Sequence, residues 1–99
     1  MARYDLYRAP DGSGWWLDVQ ADLLDGLNTR VVVPVLPLST APKPAGRLNP
    51  VVTVEGVECV LVTQYLAAVR VSELGPRVGS LADQAEAVMA ALDMVIVGF

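Results

Sequence analysis

At 99 residues the chain has room for one hydrophobic core, so residues 1–99 read as a single domain whose function fits on one small surface or recruits a second copy. Hydrophobic residues make up 54% of it and charged ones 18%, a balance that points to apolar surface covered by a partner. A formal charge of −4, with seven Lys and Arg that form no run, gives no footprint for gripping phosphates and disfavours direct nucleic-acid binding; having no His and one Cys excludes a Ser–His pair, a typical zinc site and an internal disulfide.

In chain order, Tyr4 to Tyr7 and Trp15 to Val19 are aromatic and β-branched runs separated by Pro10-Asp11-Gly12-Ser13-Gly14, which predicts a hairpin. Strand alternation should send Trp15 and Trp16 to opposite faces. The Gly12-x-Gly14 pair lacks the third glycine and the following helix of a nucleotide loop, so it reads as a turn. Ala21 to Gly26 is a polar-flanked turn carrying Leu23 and Leu24. Two readings stay open there: one helical turn tucking a leucine into the core, or an apolar contact patch.

Arg30-Val31-Val32-Val33-Pro34-Val35-Leu36 is a β-branched run of the kind buried on both faces, with Pro34 marking a bend, bulge or edge because it has no N–H for a ladder. Ser39 to Asn49, with Pro42, Pro44 and Gly46, reads as a long loop. Pro50 to Val54 and Glu58 to Thr63 flank the turn Glu55-Gly56-Val57 and predict a second hairpin, with Cys59 as a buried small hydrophobe. Ala67 to Val71 offers a further strand, ended by Gly75-Pro76.

Only the end of the chain changes period. Ser80 with Asp83 has the spacing of a capping box, and the alanines that follow favour a helix from about Leu81 to Val95. Leu81, Ala85, Val88, Leu92 and Val95 share the face expected to pack on the sheet, while Met89, Asp93, Ile96 and Val97 project elsewhere. Met94 to Phe99 is an uncharged tail that needs cover, either in the core, across a dimer dyad or on a partner; Gly98 would let a partner's backbone approach. The carboxylate pairs Asp22/Asp25 and Asp83/Glu86 read as caps and solvated faces rather than as a metal or acid–base site. No stretch reaches the ~20 apolar residues needed to span a bilayer, and no apolar leader is recognisable, so a cytoplasmic location is expected.

Three segments together resemble the CcdB toxin family: Leu17-Asp18-Val19-Gln20-Ala21-Asp22-Leu23-Leu24-Asp25 followed by Arg30 to Val35; Arg47-Leu48-Asn49-Pro50-Val51-Val52-Thr53-Val54; and the C-terminal helix ending in Gly98 and a bulky apolar residue. The resemblance implies a mainly β fold, a small SH3-like barrel of the CcdB/MazF type with a C-terminal α-helix. It also implies a homodimer without cofactor or catalytic site that binds the DNA gyrase A subunit and traps the gyrase–DNA cleavage complex. A CcdA-like antitoxin with a disordered C-terminal part would neutralise it, and the pair would repress their own operon.

By the same resemblance the gyrase-binding positions are Leu23, Leu24, Asp93, Ile96, Val97, Gly98 and Phe99. Two depart from the best-known members, which carry tryptophan where this chain has Val97 and asparagine where it has Asp93. Two alternatives follow. One is a homologue that keeps antitoxin binding and regulation but no longer poisons gyrase. The other is an endoribonuclease like the related MazF/Kid toxins, with Thr29, Arg30 and Arg70 supplying proton and charge; the acidic balance argues against it.

Overall fold

A computed structural model describes residues 2–99. Among these residues seven short strands form one curled antiparallel sheet, a half-barrel closed on one face by a single α-helix. The strands are β1 (Asp5–Arg8), β2 (Trp15–Asp18), β3 (Thr29–Pro37), β4 (Val51–Val54), β5 (Val57–Leu61), β6 (Ala67–Arg70) and β7 (Arg77–Ser80), followed by α1 (Ala85–Ile96). Their spatial order is β4-β5-β3-β2-β1-β7, with β6 pairing with β3 off this path.

Both expected hairpins are present. β1 and β2 pair with Leu6 opposite Leu17, and β4 and β5 pair with Val54 opposite Val57. The second turn places Glu55 and Gly56 at φ of 51° and 78°, the left-handed pair that matches the twist of two tightly joined strands. Pro34 sits where β3 changes neighbours: β6 pairs with Thr29 to Val32 and β5 with Val35 to Pro37, so the residue without an N–H falls at the break between two ladders.

Cross-strand partners share a face, and this sorts the interior. Leu6, Leu17 and Val33 point toward α1 and join Trp15, Val35, Cys59, Leu61, Val88 and Leu92 in the main core. Each such side chain contributes about 1.5–3 kcal/mol when fully buried. Trp16 lies half-buried on the opposite face, as the alternation predicts. Burial pushes the Cys59 thiol up, which fits a core residue and not a reactive one.

Three expectations need correction. Arg77–Ser80 forms a strand that the sequence does not announce; it is held by pairing with β1, Gly79 opposite Leu6. The regular helix begins at Ala85, after a 3-10 turn at Ala82–Gln84, and extends to Ile96. Ser80 stands one residue before the cap position, which is held by Leu81 without a side-chain cap bond; its Oγ accepts the Ala82 N–H at 3.1 Å, and Asp83 is exposed and makes no return bond. Finally, Met89 packs against the core instead of projecting away from it, and Ala91 is fully buried.

Candidate functional site

The turn bearing Leu23 and Leu24 is held in place from below by buried polar groups. Asp18 and Arg30 stand diagonally across β2 and β3, with the Arg30 Nε donating to Asp18 Oδ2 at 2.8 Å and both side chains at 0% exposure. Asp18 Oδ1 accepts the Gln20 N–H at 3.0 Å. The Gln20 amide then ties two segments together: its Oε1 accepts the Val31 N–H at 3.1 Å and its Nε2 donates to the Leu24 carbonyl at 2.9 Å. Asp22 Oδ1 accepts the Arg3 N–H at 2.8 Å, pinning the start of the chain to the same turn.

The turn is a single 3-10 turn, Asp22–Leu24, with no buried residue. Neither leucine is tucked into the core: Leu23 is 92% exposed and Leu24 47%. The helical turn of the first reading forms, but without tucking a leucine inward, and the leucines on it leave apolar area open to solvent. Leu27, at 51% exposure, extends that patch and was not singled out by sequence, where it has no periodic context.

The end of α1 comes to the same side. Asp93 is exposed, and Ile96, Val97 and Phe99 are 70%, 60% and 77% exposed. The tail is therefore not covered by the core of its own chain; of its residues only Val95 is half-buried. The Asp93 carbonyl accepts the N–H of Val97 at 2.8 Å and of Gly98 at 3.0 Å, closing the last turn. Gly98 has φ of +97° with open space where a Cβ would stand, so its first role is conformational: it turns the chain out of the helix, as glycine does at this position.

Leu24, Asp93, Ile96 and Val97 meet across an apolar groove of about 310 Å³ whose wall includes Val31 and Leu92. Leu23, Gly98 and Phe99 do not line it. The seven positions thus fall on two neighbouring elements, with four of them joined directly by the groove.

The remaining candidates separate. Thr29 and Arg70 are opposite each other on β3 and β6, but Arg30 points to the other face and is locked in its ion pair. Asp22, Asp25, Asp83 and Glu86 are all exposed, and among the described residues no group of three acidic, His or Cys side chains is placed to hold a metal. Among the described residues no helix is long and apolar enough to cross a membrane.

Solved structures share this architecture. One is an endoribonuclease in complex with its cognate antitoxin from a mycobacterial species, with a TM-score of 0.78 at 17% identity over 98% of this chain and 95% of that one. Another is the Mycobacterium tuberculosis toxin MazF-mt6, with a TM-score of 0.75 at 18% identity over 96% of this chain and 97% of that one. The half-barrel and its helix are thus the fold of the MazF and CcdB-like toxins. The family model described as CcdB protein matches residues 3–98, nearly the whole chain, and the protein belongs to the CcdB family. No curated protein sequence matches it.

Proposed function

We propose that this protein is the toxin of a type II toxin–antitoxin system that acts, as a homodimer, by binding the DNA gyrase A subunit and trapping gyrase on cleaved DNA. The observation that carries this reading is the uncharged tip of α1, where Ile96, Val97 and Phe99 stand clear of their own chain on the side of the still more exposed Leu23. Apolar area of this kind on a small protein is held for a partner. Leu23, Leu24, Asp93, Ile96, Val97, Gly98 and Phe99 are its contact set, and no cofactor or catalytic group is required.

A CcdA-like antitoxin is the natural regulatory partner, by family membership and because a protein of this fold has been solved with its cognate antitoxin. The two together repress their operon, the toxin itself making no contact with DNA, and the system works in the cytoplasm. Purified protein added to gyrase, supercoiled plasmid and ATP should accumulate linear DNA after detergent and protease treatment. Removing Val97 to Phe99 should abolish that product; linear DNA formed equally well without these residues refutes the reading. Tight antitoxin binding with no cleavage complex and no growth defect would instead identify a homologue that has given up gyrase poisoning.

A second reading is RNA cleavage, favoured by the pairing of Thr29 with Arg70 and by the endoribonuclease neighbours. Arg70→Ala is the appropriate probe, since Arg70 is exposed whereas replacing the buried Arg30 would damage the fold. Single-stranded RNA cut by the wild type and spared by Arg70→Ala would promote this reading.

A further inference from the structure

We infer that the groove between the leucine turn and the end of α1 receives a peptide segment that presents a bulky apolar side chain with a carboxylate next to it. This rests on reading the face as a protein-binding surface, and not on gyrase being the partner. The groove holds about 310 Å³ and is walled by Val19, Val31, Leu66 and Leu92. That is the low end of the range for ligand pockets, room for one leucine or aromatic side chain and its flanking backbone.

Its polar groups select what accompanies that side chain. Arg3 lines the groove, and its Nε is buried with no acceptor. The Arg3 Nη2 rests 2.8 Å from the Met89 sulfur, a thioether that accepts hydrogen bonds only weakly. Among the described residues no carboxylate stands within ion-pair distance of Arg3, in contrast to Arg8, Arg30 and Arg77. The side chain is nevertheless held in place: its backbone N–H is bound by Asp22 at 2.8 Å, and the guanidinium lies 5.2 Å from the centre of the Tyr4 ring. A fixed planar cation with unused donors is the complement of a carboxylate, which it can grip with two parallel bonds.

The other end of the groove has the opposite sign. Asp93 lies one helical turn beyond Met89, about 6 Å along the helix surface, so the groove runs from a cation to an anion and fixes the direction of a bound segment. An acidic residue belongs at the Arg3 end and a basic or amide residue at the Asp93 end. The overall charge of −4 repels acidic chains at long range, so the carboxylate is recognised only once seated.

The test uses the full chain, labelled with nitrogen-15, and two short blocked peptides. Each has a central leucine followed by lysine; one carries glutamate before the leucine and the other glutamine. The glutamate peptide should shift the amide resonances of Val31, Met89 and Leu92 saturably and bind about fivefold more tightly than its glutamine counterpart. In Arg3→Gln the two should bind alike, while the rest of the spectrum reports an intact fold. Should that variant fail to fold, the comparison of the two peptides on the wild type decides alone. No saturable shift at millimolar peptide, or equal affinity for both peptides, overturns the proposal. So does movement of the same resonances on diluting the protein by itself, which would make a second copy the occupant. A negative gyrase assay leaves these outcomes untouched, so the two proposals fail separately.

Discussion

Arg30 is the largest fully buried side chain in the protein, and its partner Asp18 is buried as completely. Burial pushes the Asp18 carboxyl above the ordinary aspartate range, against the hydrogen bonds from Arg30 and from the Gln20 N–H that pull it down. The folded chain therefore holds that proton more tightly than the unfolded chain does. The stability contributed by this group is fully present below the unfolded aspartate value and is lost as pH rises through the raised folded value. Arg30→Met removes the counter-charge and strands a buried carboxylate, which should cost about 3–5 kcal/mol at neutral pH. Mild acidification should narrow the gap to wild type, because Asp18 then protonates. Urea midpoints at neutral and mildly acid pH measure this, and a deficit that does not change with pH would contradict the account. These two residues lie within the segments that carry the family resemblance, yet their burial was not legible there, because a charged residue at the end of a strand reads equally well as a solvated one.

At the scale of elements, local signals located most strands but not their partners. The aromatic and β-branched runs and the Glu55-Gly56 turn are short-range features, and they specified both hairpins. β7 escaped because Arg77-Val78-Gly79-Ser80 has a single β-branched residue; it is a strand only through its bonds to β1. The start of the helix was half legible. Ser80 supplies an acceptor for the first free N–H, but the chain passes through a 3-10 turn before becoming regular. Ser80→Ala should lower stability by about 1 kcal/mol, as loss of one side-chain hydrogen bond does, and thermal melting with circular dichroism would register it. No change in melting temperature would mean that water serves the Ala82 N–H as well as the hydroxyl does.

For the molecule as a whole, the decisive property is that one face gathers two exposed apolar elements 72 positions apart in sequence, the Leu23–Leu24 turn and the Ile96–Phe99 tip. Val97 occupies the position where the best-known family members carry tryptophan, and it is 60% exposed, so an indole there would project outward without disturbing the core. Val97→Trp should leave the melting temperature unchanged and, if the proposed gyrase function holds, strengthen trapping of the gyrase cleavage complex. A full hot-spot contribution of about 2 kcal/mol corresponds to roughly thirtyfold lower protein for half-maximal cleavage. Unchanged potency in the cleavage assay would place the partner contact elsewhere on this face.

What the sequence by itself determined was whatever depends on neighbours along the chain: the hairpins, the identity of the helix, the burial of Cys59 and the apolar character of the tip. Tertiary structure alone decided that Arg30 serves Asp18, that Gln20 ties the leucine turn to β3, and that Met89 turns inward to meet Arg3. The reason is physical. Periodicity and turn chemistry report which face a residue occupies, whereas a groove or an ion pair exists only once strand register and the packing of the helix on the sheet have set distances between residues far apart in sequence; packing of the helix does this for Arg3 and Met89, separated by 86 positions and joined at 2.8 Å.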